Sequence, residues 1–131
     1  MATYSNIYID QGSTYASTID VKDSNGLPTD LTDYFVRGQM RRTYNSTLFY
    51  DFILDIPNPT NGKIVISLSN NISATLKPGR YVYDIEIVHS TLGDVRRVAE
   101  GQVDVSPSVT SNDYNPENNS NQTIVYTGGT F

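Results

Sequence analysis

Apolar and polar residues alternate with period two along most of the chain up to Val105. The cleanest run places Tyr81, Tyr83, Ile85 and Ile87 on one side and Asp84 and Glu86 on the other. That is the signature of a strand with one face buried, and it needs a sheet to lie against. Pro78-Gly79 just upstream predicts a turn, because proline fixes φ and glycine tolerates positive φ.

The same reading places further strands over Tyr4–Ile9, Tyr15–Val21, Phe35–Arg42, Leu48–Leu54, Lys63–Leu68 and Val95–Val105. Asp23-Ser24-Asn25-Gly26 and Leu92-Gly93-Asp94 read as turns. Leu27–Tyr34 is expected to cross between sheets with Leu31 closing the core, and Gly38 inside a strand predicts a bulge or a close backbone approach. Ser69 or Asn70 is placed to cap a single helical turn before Leu76. In the last strand Val98 and Val103 cannot both face inward without an extra residue, so a bulge is expected near Glu100-Gly101. About seven short strands with turn signals roughly every 8–12 residues predict an all-β antiparallel sandwich. A small closed barrel is the alternative.

The pattern changes after Pro107. Residues 108–122 are rich in Ser, Asn, Pro and Glu, the makeup of a linker, and Thr123-Ile124-Val125-Tyr126-Thr127 follows as a short β-prone segment. The chain thus divides into a sandwich over 1–107 and a linker with an extended C-terminal arm over 108–131. The arm reads either as a frayed end or as a strand for a partner's sheet edge, with Tyr114, Ile124, Val125, Tyr126 and Phe131 as its contact residues.

Composition narrows the chemistry. The chain has no cysteine, which removes disulfides, thiolate metal sites and thiol catalysis together. Met1-Ala2-Thr3-Tyr4 shows neither a basic nor an apolar leader region, so no signal peptide is expected, and no apolar run approaches the roughly 20 residues that span a bilayer. A formal charge of −5 argues against general affinity for nucleic acid or an anionic membrane. His89 is the single histidine and reads as a solvated residue at a strand end. Asp20, Asp23, Asp30 and Asp33 lack the ligand spacing of a calcium loop. Asp84 and Glu86 could form a hydrolytic pair, but cross-strand pairing with Arg37, Arg41 or Arg96 is the plainer expectation. The doublets Arg41-Arg42 and Arg96-Arg97 suit a local patch for an acidic neighbour, and the four sequon matches, beginning at Asn45, Asn71, Asn118 and Asn121, read as chance. No catalytic, cofactor-binding or metal-binding residue is assigned, and no enzyme is expected.

Gly79-x-Tyr81 has the spacing of the tyrosine corner of immunoglobulin-like sandwiches, with Tyr83 where antibody domains carry a cysteine. Taken with Ile9–Tyr15, Asp30–Tyr34, Lys63–Leu68, Leu76–Glu86 and Val98–Val103, the chain from about residue 4 to 107 resembles small immunoglobulin-like virion proteins of tailed phages, similar to the N-terminal domain of baseplate upper proteins. The resemblance implies a non-enzymatic structural part in the virion, present in multiple copies and bound to other virion proteins. It leaves tail, baseplate and capsid decoration open. A carbohydrate-binding module using Tyr44, Tyr50 and Tyr114 as stacking platforms is the alternative function.

Overall fold

A computed structural model describes residues 2–109. Nine strands follow one another: β1 (Thr3–Tyr4), β2 (Ile7–Asp10), β3 (Tyr15–Asp20), β4 (Tyr34–Arg41), β5 (Phe49–Asp51), β6 (Ile53–Asp55), β7 (Lys63–Leu68), β8 (Gly79–His89) and β9 (Val95–Ser106). One helical turn, α1 (Asn70–Ser73), sits between β7 and β8, capped by the Ser69 hydroxyl, which accepts from the Ile72 N–H at 3.4 Å. The larger sheet runs β1-β9-β8-β4-β5, with β2 also on β9, and the smaller runs β3-β7-β6. All pairs are antiparallel except β1 and β2, which run parallel to β9. The fold is therefore an all-β sandwich of two sheets and not a closed barrel.

Alternation decides which side chains meet between the layers. Met40, Tyr81, Tyr83, Ile85, Ile87, Val103 and Val105 bury themselves from the larger sheet, and Ile64, Ile66 and Leu68 from the smaller. Ile7 and Ile9 close one side, while Leu31 fills the crossing between β3 and β4 at 1% exposure. Gly38 is a close approach and not a bulge: a Cβ there would collide with Ile85 Cδ1 and lie 2.9 Å from the Asp84 carbonyl oxygen. Its own carbonyl accepts from the Phe52 N–H at 3.2 Å.

Two expected strands are each divided. Leu48–Leu54 keeps strict parity through Tyr50, Phe52 and Leu54, yet its first half pairs with β4 in one sheet and its second half with β7 in the other. Phe52 is the joint, buried edge-on against Tyr83 with ring centroids 6.0 Å apart. The N-terminal strand breaks at Ser5-Asn6, where backbone and side chains lock onto β9. Ser5 N–H donates to the Glu100 carbonyl at 2.9 Å, and the Asn6 side-chain carbonyl accepts from the Gln102 N–H at 3.2 Å. Gly101 is needed opposite, because any Cβ there would overlap the Ser5 carbonyl.

The β9 bulge lies two residues before the expected place. Ile85 pairs with Ala99 and Glu86 with Arg97, so Val98 is the extra residue. Burying Val98 and Ala99 in succession, at 5% and 1% exposure, lets Val103 return to the inner face.

Candidate interaction surfaces

The outer face of the larger sheet is a lattice of paired charges. Cross-strand register sets Arg37 opposite Glu86 and Glu86 opposite Arg97. Arg37 Nε reaches Glu86 at 2.8 Å, Arg97 reaches Asp84 at 3.5 Å and Glu100 at 3.2 Å, and Arg80 reaches Asp104 at 3.1 Å. Gln39 donates to Asp51 at 2.9 Å, and Arg41 donates to the Gln39 side chain at 3.1 Å and to the Ser46 carbonyl at 2.7 Å. Partial burial raises the Asp84 pKa against the opposing pull of Arg97. Such solvated pairs contribute roughly 0–1 kcal/mol each, so their main effects are register and solubility.

The expected pairing therefore forms through Arg37, but Arg97 takes the place assigned to Arg96. The bulge at Val98 is the reason: it sets Arg97 opposite Glu86 and Arg96 opposite the inward Ile87. The sequence signal was the Val98-Ala99 pair, two apolar residues in succession.

One end of the same face is apolar. Phe35, Val88 and Val95 share a row across β4, β8 and β9, with Phe35 and Val95 exposed and Val88 buried. Val88 breaks the alternation after Ile87, which was the available signal. At the opposite edge Arg41 lies over the Phe49 ring at 5.2 Å, beside a loop carrying the exposed Tyr44 and Leu48.

The smaller sheet presents a bare edge. Among the described residues β3 pairs only with β7, and Ala16, Ser17 and Thr18 are all exposed. Ser17 lies on the inward parity between half-buried Tyr15 and Ile19, so its exposure marks a rim that the sandwich leaves open. The strand's only charge is at its end, where Asp20 meets Lys63 at 2.7 Å. That hydrogen bond and charge hold the Asp20 carboxyl below its ordinary pKa.

The tyrosines of β8 hold the frame. Tyr81 Oη donates to the Lys77 carbonyl at 2.7 Å, a corner just ahead of Gly79, where β8 begins. The Arg42 guanidinium lies over the Tyr81 ring at 4.8 Å and beside Gly79. Tyr83 Oη donates to the Ser5 carbonyl at 2.6 Å, and burial pushes its pKa up to about 12. A hydroxyl thus ties the N-terminal segment to β8. No local pattern in the sequence encodes this bond, because its partner lies 78 residues away.

The remaining candidates separate. His89 Nδ1 accepts from the Thr91 and Leu92 N–H groups at 3.3 and 3.1 Å, and its ring stands edge-on to Tyr34 at 5.1 Å. It is a turn-closing residue more than a solvated one. Asp23 and Asp30 spend their carboxylates on local backbone N–H groups, and no group of three or more potential metal ligands occurs among the described residues. Tyr44 is 82% exposed, whereas Tyr50 turns inward, edge-on to Tyr81 at 6.4 Å. Tyr114, Ile124, Val125, Tyr126 and Phe131 lie outside the described residues. No described helix is long and apolar enough to cross a membrane.

No family model matches the sequence, and no curated protein matches it. Among solved structures the fold is similar to the N-terminal domain of phage TP901-1 ORF48, at 12% sequence identity and a TM-score of 0.48. The alignment covers 78% of this chain and 85% of that chain. A likeness of that size assigns no role.

Proposed function

We propose that this chain is a non-enzymatic structural module of a phage virion, with an immunoglobulin-like sandwich that binds neighbouring subunits through its surface and its arm over 108–131. The observation that carries the binding reading is the distribution of the exposed side chains. Asp84 and Glu86, the one candidate hydrolytic pair, are both engaged by arginines on neighbouring strands. Beside scattered charges such as Lys22 and Arg96, the described surface leaves open an apolar row, Phe35–Val95, and the edge of β3 away from β7. Exposed apolar rows and bare strand edges are what a subunit interface uses. The virion assignment comes from the ordered sequence motifs between residues 4 and 107. The immunoglobulin-like assignment is supported by the Tyr81–Lys77 corner and by the pairing of β2 parallel to β9. The sugar-binding alternative loses Tyr50 as a platform to the core.

The test is incorporation. Full-length chain and a chain ending at Pro107 are supplied to a host producing particles, and purified particles are probed for each. The shorter chain should fold, shown by a cooperative melt, and be missing from particles. Equal incorporation of both would remove the arm from the proposal, and absence of both would remove the virion role.

A further inference from the structure

We propose that the free edge of β3 accepts residues Thr123–Thr127 of a second copy of this chain as a fourth, antiparallel strand of the smaller sheet. The inference rests on the assembly reading above and names the partner that the arm engages. Of the strands at sheet edges, β3 is the longest, with six residues against two, four, three and three in β1, β2, β5 and β6. It carries neither proline nor lysine, the residues that ordinarily blunt an edge. An added strand would satisfy its outward N–H and C=O groups through main-chain bonds, with side-chain pockets setting the register.

The sequence of the arm fits a register that puts its apolar residues on the inner face. Antiparallel pairing with Ile124 opposite Ile19 sets Val125 opposite Thr18 and Tyr126 opposite Ser17. Ile124 and Tyr126 then share the inward face with Tyr15 and Ile19. Tyr126, the bulkiest of the five, falls on the one small and exposed residue of that inner row. Thr123 and Thr127 flank Asp20 and Ala16, so no like charges meet.

Direction favours a second copy over the same chain. The described body ends beside the start of β3, where Gln11 N–H donates to the Ser106 carbonyl at 2.9 Å and its side-chain carbonyl accepts from the Ser108 N–H at 3.0 Å. An antiparallel strand must enter at the opposite end, by Asp20. Residues 110–122 of the same chain would have to run the length of β3, about 20 Å, before turning back. Those residues, up to about 45 Å long when extended, could cover it only by running along the edge and then reversing before pairing. The arm of a neighbour approaches the Asp20 end directly.

The test uses two chains with complementary defects. A chain ending at Gln122 keeps the edge and lacks the donor; a full chain carrying Ser17→Arg keeps the donor and fills the rim. Each alone should sediment as a monomer, and an equal mixture should give a complex of twice the mass. The chain's lack of cysteine permits a second reading. Thr18→Cys and Val125→Cys chains, mixed and oxidised, should give a covalent dimer well above that of either alone. Failure to form either dimer overturns the inference, as does a Thr18→Cys, Val125→Cys double variant that closes within one chain. If the mixture stays monomeric while the arm still directs incorporation into particles, the inference fails and the assembly role stands.

Discussion

Tyr83 holds two jobs that a cysteine would divide, filling the core against Phe52 and bonding the Ser5 carbonyl. Because its folded pKa is about 12 against an ordinary value of 10.0, the folded state keeps its proton more tightly. The resulting stabilisation is complete below pH 10 and is lost as pH rises from 10 towards 12. Tyr83→Phe should lower stability at pH 8 by roughly 1 kcal/mol, the usual net value of such a bond, and the melting temperature with it. Between pH 10 and 12 the variant should lose stability less steeply than the parent, which a melt series across that range checks. Asp84 has the same sign for the same reason, with Arg97 pulling the other way. Burial raises its pKa, so its contribution is present below the unfolded value and lost as pH rises through the folded one. Removing the charge should therefore do no harm at neutral pH, since Arg97 retains Glu100 at 3.2 Å. Asp84→Asn should melt at or slightly above the parent temperature at pH 7, with the difference closing near pH 3. A clear loss at pH 7 would show that the Arg97 pair outweighs burial.

At the scale of elements, local alternation carried most of the fold. The inward faces of β7 and β8 are the apolar positions of their period-two runs, and the Ser69 cap and the Asp23–Gly26 turn form at their sequence signals. What alternation could not show was where a strand changes partner. From Tyr50 to Leu54 the parity is unbroken, because the inner face stays inner as the chain passes from one sheet to the other. The switch at Phe52 is set by non-local pairing with β4 and β7, which a linear pattern does not contain. The bulge shows the complementary limit. Its necessity was legible from Val98 and Val103, but its position depended on which of Val98 and Gly101 would break register. The close approach of Ser5 to Gly101 and the burial of Ala99 decide that in three dimensions. Phe52 joins both layers, so Phe52→Ala should be among the most damaging single changes, at about 3–5 kcal/mol. Chemical denaturation should show that loss, together with a diminished Tyr83 contribution in the double variant, because the two rings share one site.

At the scale of the molecule, the buried apolar residues among those described all lie between Ile7 and Val105, and the sandwich is expected to fold on them alone. The candidate surface was less legible than the core because a free edge is defined by which strand lacks a neighbour. Tyr15–Asp20 looks in sequence like any half-buried strand, and only the pairing order shows that one of its sides has no neighbour among the described residues. The two facts together give a prediction that separates folding from assembly. At low protein concentration the full chain and a chain ending at Pro107 should melt at similar temperatures, since neither gains nor loses core. As concentration rises, the full chain should become more stable while the shorter chain stays constant, because association favours only the folded form that can bind. Differential scanning calorimetry over a wide concentration range reads this directly. A full chain whose melting temperature exceeds that of the shorter chain by the same margin at every concentration would place the arm on its own body. A margin that grows with concentration is what strand donation between copies requires.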